Sequence, residues 1–233
     1  MDLNGKHAVV TGGAVRVGAS LVRALAEAGA RVTVHCRTSR REAELLISEL
    51  PGAGHRVACA DFASGEGGAA ELWEQLDAPV DVLVNNASCY RLPAGEEKLY
   101  DSVNYRAPSE LMRRFAAQEI SCGAVVNLLD QAVLSSAPGE EEKYLESRRR
   151  LADATREYAR RFAAKNLRFN AVAPGPVLPP RGLENSKMEK TLKRVPLGRP
   201  VAVDDLVEAV LFLIRNDSVT GAILPVDCGM SLP

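Results

Sequence analysis

A chain of 233 residues, 46% of them hydrophobic, has enough apolar content for one large α/β unit with a substantial core. Its 29 Lys and Arg nearly match its 30 Asp and Glu, so no whole-protein field draws it to nucleic acid or an anionic membrane, and a small-molecule partner is expected. The five cysteines (Cys36, Cys59, Cys89, Cys122, Cys228) are scattered, with no Cys-x-x-Cys pair, which argues against a disulfide framework or a bound metal.

Residues 1–6 carry no signal-peptide apolar region, and no run nears the roughly 18 apolar residues that span a bilayer, so a cytoplasmic protein is predicted. Short apolar runs then alternate with amphipathic stretches. Predicted strands 7–11, 31–35 and 55–60 are followed by predicted helices 17–28, 41–50 and 69–76. Strands 80–84, 124–128 and 168–172 are followed by helices 104–120, 141–164 and 203–215, and strand 223–226 closes the pattern. Nearly continuous apolar strands separated by helices predict a parallel sheet covered on both faces. The expected architecture is a single-domain Rossmann fold over 1–233 with a seven-stranded doubly wound sheet. Ligands in such sheets bind beyond the carboxyl ends of the strands, where the Pro- and Gly-rich loop 174–182 makes a plausible wall or lid.

The first strand runs into Thr11-Gly12-Gly13-Ala14-Val15-Arg16-Val17-Gly18 and then a helix. Glycines there permit a tight turn and close approach of N–H groups to a phosphate, with the helix N-terminus favouring negative charge. A tight turn without a ligand is the alternative. After the second strand comes Arg37-Thr38-Ser39-Arg40, where a site for NAD would place a carboxylate on the ribose hydroxyls. A guanidinium and two hydroxyls suit a 2′-phosphate, favouring NADPH/NADP, unless the two arginines are only solvated charge.

The Thr-Gly-x-x-x-Arg-x-Gly turn, Asp61-Phe62 after the third strand and Asn85-Asn86-Ala87-Ser88 after the fourth, in that order, resemble the short-chain dehydrogenase/reductase family. Arg16 in place of the middle glycine, Ser88, and Tyr90 in Asn85-Asn86-Ala87-Ser88-Cys89-Tyr90 are similar to pteridine reductases in particular. The resemblance implies that Gly12, Arg16, Val17, Gly18, Asp61, Phe62, Asn86, Ala87, Ser88, Pro174 and Gly175 hold the cofactor. It also implies a hydride transfer in which Tyr144 supplies the proton, Asn104 completes a relay, and Asp130 stands where most members carry a serine. Arg16, Ser88, Tyr90, Asp130 and Tyr144 would converge on a flat heterocycle; an ordinary loop aromatic is the alternative for Tyr90.

Tyr144-Leu145-Glu146-Ser147-Arg148 departs from the family's Tyr-x-x-Ser-Lys, whose lysine holds the ribose and lowers the pKa of the tyrosine. Positions 144, 148, 151, 155, 158 and 162 form one helical stripe, so Arg148 shares the face of Tyr144. Lys143 points elsewhere and Lys165 is about six turns away. Arginine supplies a cation and a fork for ribose hydroxyls, but it does not deprotonate, so a relay through an ammonium is lost. The run Gly139-Glu140-Glu141-Glu142 is expected to be an exposed first turn of that helix.

These features predict an NADPH-dependent reductase of a dihydropterin or similar carbonyl or imine. Another small ketone is the enzymatic alternative, and an impaired NADP(H)-binding sensor or scaffold the non-enzymatic one. The segment Leu224-Pro225-Val226-Asp227-Cys228-Gly229 resembles the family's Val-Asp-Gly-Gly end with Cys228 for a glycine, and by that resemblance a homotetramer is expected.

Overall fold

The computed structural model describes residues 1–134, 142–179 and 185–232. Strands β1 (His7–Val10), β2 (Arg31–Cys36), β3 (Arg56–Cys59), β4 (Val82–Asn85), β5 (Gly123–Leu128), β6 (Leu167–Pro174) and β7 (Ile223–Val226) form one parallel sheet, in the order β3-β2-β1-β4-β5-β6-β7. The chain winds outward from β1 to β3, then crosses to β4 and winds the other way. The order therefore reverses between β1 and β4, which opens a crevice at their carboxyl ends. All seven strands fall where the apolar runs predicted them.

The helices are α1 (Arg16–Glu27), α2 (Arg40–Ser48), α3 (Glu66–Glu74), α4 (Lys98–Asp101), α5 (Ala107–Ala116), α6 (Glu142–Phe162), α7 (Asn185–Leu192) and α8 (Val203–Arg215). Side-chain alternation along the strands feeds two layers. Val10, Val84 and Val126 face Leu21 and Leu25 of α1, Leu46 of α2 and Val210 of α8. Val9, Leu83, Val125 and Phe169 face Leu72 of α3, Phe115 of α5 and Leu151 of α6. Burial on both faces is why the strands are Val-rich rather than alternately polar.

Helix 104–120 of the sequence differs most. It begins earlier, with α4, and joins α5 through a π-helical turn, Ser102–Arg106, where the Ala107 N–H donates to the Ser102 carbonyl. Helix α7 was not predicted, because Asn185-Ser186-Lys187-Met188-Glu189-Lys190-Thr191-Leu192 has no apolar stripe. Gly139, Glu140 and Glu141 of the acidic run, and Pro180, Arg181 and Gly182 of the loop after β6, lie outside the described residues.

At the far end of the sheet Arg168 of β6 is buried beneath the end of α8. Its Nη1 donates to the carbonyls of Leu213 (2.7 Å) and Val219 (3.2 Å), its Nη2 donates to Ile214, and Asp217 lies 3.4 Å away. The last carbonyls of a helix lack partners within it, so a cation there satisfies them and the helix dipole together.

Candidate functional site

Every loop that follows β1 to β6 at its carboxyl end carries a residue singled out in the sequence. The first is the Gly-rich turn. Gly12 has φ +61°, and a Cβ on Gly18 would sit 2.1 Å from the Gly12 carbonyl oxygen, so no side chain fits at Gly18. Asn86, after β4, clamps this turn: its Nδ2 donates to the carbonyls of Thr11 (2.9 Å) and Gly12 (3.0 Å), while Thr11 Oγ1 accepts from the N–H groups of Asn86 (2.9 Å) and Ala87 (3.0 Å). Helix α1 has Val15 at its N-cap, with no side-chain cap and no acid in its first turn. Its first N–H groups, those of Arg16, Val17 and Gly18, are thus left to an anion.

Arg16 adopts φ +57°, a left-handed conformation that favours the glycine it replaces, and its Nη2 donates to the Pro179 carbonyl at 2.8 Å. It ties the start of α1 to the segment after β6. Arg37 and Thr38 are exposed beyond β2, and Ser39 caps α2 by position without a side-chain bond. Arg40 is engaged by Glu44 at 2.8 Å. Asp61 Oδ1 accepts from the Ala63 N–H at 2.9 Å, whereas the Phe62 ring is buried, leaving only its backbone to line a ligand site.

His35 is the residue that motif reading missed. Its ring stacks on Phe62, 4.3 Å between centroids and 14° from parallel. Its Nδ1 accepts from the Gly12 N–H at 3.2 Å, which assigns the proton to Nε2 and makes that atom the donor to the Ala60 carbonyl at 3.1 Å. Burial pulls its pKa down to about 4, so it stays neutral at neutral pH. One imidazole thereby joins the turn after β1 to the one after β3.

Across the crevice, α6 presents Tyr144 and Arg148 on one face. The Tyr144 hydroxyl donates to Asp130 Oδ2 at 3.1 Å, and its ring lies between Tyr90 (4.8 Å) and Tyr100 (5.7 Å). Burial raises its pKa; the Arg148 cation pulls the other way, and the Asp130 carboxylate adds to the rise. The phenol is therefore protonated at any ordinary pH. Tyr90 remains 43% exposed, with the Arg91 guanidinium carbon over its ring at 5.2 Å.

Arg148 is 3% exposed. Its Nη2 donates to Ser88 Oγ and its Nη1 to the Leu128 carbonyl at 3.3 Å, with the guanidinium carbon 5.4 Å from the centre of the Tyr144 ring. Its Nε is buried with no partner among the described residues. Asn104, held in the π-helical turn, accepts at Oδ1 from the Cys89 N–H (2.9 Å) and donates from Nδ2 to the Cys89 carbonyl (3.0 Å) and Ser147 Oγ (3.4 Å). Its amide thus fastens the loop after β4 to α6. Pro174 ends β6, and Gly175 packs so closely on Asp227 that a Cβ would lie 2.9 Å from its Cα. Next to it Cys228, where the resemblance would place a glycine, keeps φ +55°.

The site combines an uncapped helix N-terminus at a Gly-rich turn, exposed Arg37, a protonated phenol and a buried cation with a spare donor. That set suits a dinucleotide with a substrate beside Tyr144.

The chain matches, over residues 13–231, the family model described as enoyl-(acyl carrier protein) reductase. It is 34% identical to the L-xylulose reductase of Mesocricetus auratus, with 98% of each protein covered. The structure of FolM alternative dihydrofolate reductase 1 from Brucella canis, complexed with NADP, superposes with a TM-score of 0.86 at 30% identity, covering 100% of this chain and 96% of that one. A blue fluorescent protein from a metagenomic library, in complex with NADPH, gives 0.90 at 30% identity over 99% of this chain and 100% of that one.

Proposed function

Because the chain belongs to the short-chain dehydrogenase/reductase family, we propose that it is an NADPH-dependent reductase of a dihydropterin or a similar small carbonyl or imine compound. The observation that carries this reading is the Tyr144 phenol bonded to Asp130 with Arg148 behind it, at the strand ends that also carry the Gly-rich turn. NADPH supplies the hydride at this end of the sheet. Gly12, Arg16, Val17 and Gly18 hold its pyrophosphate, and Arg37, Thr38 and Ser39 its 2′-phosphate. Asp61 and the Phe62 backbone line the adenine; Asn86, Ala87, Ser88, Pro174 and Gly175 border the nicotinamide. Arg148, behind Tyr144, would border the nicotinamide ribose.

Tyr144 begins as a phenol and gives its proton to the substrate heteroatom. Arg148 stays charged throughout and stabilises the phenolate that results. Since arginine does not pass a proton on, Asp130, partly exposed and already on the phenolic oxygen, carries a proton back from solvent. Asn104 acts by position, because its amide is already spent on Cys89 and Ser147.

A pterin is favoured by Tyr90, an exposed aromatic beside Tyr144 that offers stacking area to a planar ring, by Arg16, and by likeness to the NADP-bound dihydrofolate reductase. Identity to L-xylulose reductases favours a second reading, a small keto sugar reduced by the same Tyr144. The balanced charge and free cysteines support a cytoplasmic enzyme with a small-molecule substrate, and α5 and α6 are the faces on which a homotetramer would form. No helix among the described residues is long and apolar enough to cross a membrane. The deciding experiment monitors NADPH oxidation with 7,8-dihydropterin and L-xylulose in parallel, with Tyr144→Phe as the blank. Turnover with the pterin alone supports the first reading and turnover with the sugar alone the second. NADPH binding without turnover of either points to the sensor or scaffold.

A further inference from the structure

Cys36 and Cys59 are the last residues of β2 and β3, and they stand opposite one another in the parallel register. Both side chains face the layer that packs α1 and α2, and their Sγ atoms are 3.5 Å apart. Neighbouring strands run about 4.8 Å apart, inside the Cα separation of about 4.4–6.8 Å that a disulfide bridges. Side-chain rotation and a small inward shift of one strand end suffice to close the bond.

The strand able to shift is β3. It is the edge of the sheet: on its outer side only Gln75 meets Cys59, accepting from its N–H at 3.1 Å and donating to its carbonyl at 2.9 Å, while the next residue, Ala60, donates to the Cys36 carbonyl at 3.2 Å. The next residue after Cys36 is Arg37. Drawing the two strand ends together therefore moves the start of Arg37-Thr38-Ser39 and, through Ala60, the carbonyl that His35 holds.

We propose that Cys36 and Cys59 form a reversible disulfide that weakens NADPH binding at the 2′-phosphate end. This rests on the reading of Arg37, Thr38 and Ser39 as the 2′-phosphate site. The oxidant is a low-molecular-weight disulfide such as oxidised glutathione. Cys59, the partly exposed thiol, loses its proton and attacks one glutathione sulfur, releasing one glutathione thiolate. Cys36 then gives up its proton and attacks Cys59 Sγ, expelling the second thiolate. The protein thiols lose two electrons and two protons, and one glutathione disulfide becomes two glutathiones. Burial raises the Cys36 pKa to about 12, which makes this second step the slow one.

The test equilibrates the full chain with oxidised and reduced glutathione over a range of ratios and blocks the remaining thiols. Linked peptides are then mapped by mass spectrometry, and NADPH is titrated by its fluorescence before and after. A peptide linking Cys36 to Cys59, with NADPH affinity lower by about tenfold and restored by dithiothreitol, is the expected result. Cys36→Ser and Cys59→Ser should each remove the response, the edge-strand variant serving if the other fails to fold. No linked peptide at the most oxidising ratio, glutathione retained on Cys59 alone, or a linked protein with unchanged NADPH affinity each overturns the proposal. A reduced protein that binds no NADPH overturns the nucleotide reading, and the switch with it.

Discussion

Two arginines are buried among the described residues, and their surroundings differ in kind. Arg168 is surrounded by acceptors, with the carbonyls of Leu213 and Ile214 at the end of α8, that of Val219 just after it, and Asp217 beside it. Arg148 has one hydroxyl, one carbonyl at 3.3 Å, the Tyr144 ring 5.4 Å from its guanidinium carbon and a spare Nε, and no carboxylate of the described residues lies within ion-pair distance. A buried cation that is fully matched stabilises the fold around it; one that is under-matched sacrifices stability and keeps an unfilled bond for a ligand. The difference between the helix cap and the candidate site's arginine thus appears in the number of partners rather than in burial.

The comparison breaks most visibly if Tyr144→Phe keeps its activity. Loss of the phenolic proton should lower kcat by about 100- to 10,000-fold, with a much smaller effect on NADPH affinity, as steady-state assays and fluorescence titration will show. Next come Arg148→Met and Arg168→Met, measured side by side. The first should lower kcat/KM by about 100-fold while changing urea stability by about 1 kcal/mol or less. The second should destabilise by about 3 kcal/mol and leave the folded protein's kcat/KM nearly unchanged. Arg148→Lys should fall between wild type and Arg148→Met, because one ammonium does not reach Ser88 and Leu128 as a fork does.

His35 sharpens the contrast, since imidazole sheds its charge where guanidinium does not. Its folded pKa of about 4 lies below the ordinary 6.5, so the unfolded chain binds the proton first. Its contribution is present in full above pH 6.5 and is lost as the pH falls towards 4, a total of about 3 kcal/mol. Urea titrations at stepped pH should show that slope, reduced in His35→Gln to the smaller part from His7, whose pKa burial also lowers. The smallest effect is expected at Cys228, where glycine should relieve left-handed strain and stabilise by about 1 kcal/mol.

The strands were legible because valine-rich runs carry a period that survives without any partner in view, and Tyr144 with Arg148 because four residues along a helix is a local distance. His35 was not, because its partners Gly12, Ala60 and Phe62 come from three separate loops. Cys36 and Cys59 looked scattered in sequence, and only the β2–β3 register sets them face to face. Arg16 and Cys228 were recognised as standing at glycine positions, but that their backbone stays left-handed is visible only in the dihedral angles. Helix α7 escaped because a polar helix has no period to detect.

The π-helical turn at Ser102–Arg106 holds one residue more than an α-helix would need there. Deleting a residue from it yields an ordinary helix that any propensity scale would favour and leaves the flanking segments in register, yet it removes the widened turn on which Asn104 sits. Asn104 would swing away from Cys89 and Ser147, detaching the loop that carries Ser88 from α6. In aligning homologues, a single-residue gap in this helix therefore marks a change of site, whereas the same gap in a surface loop marks none.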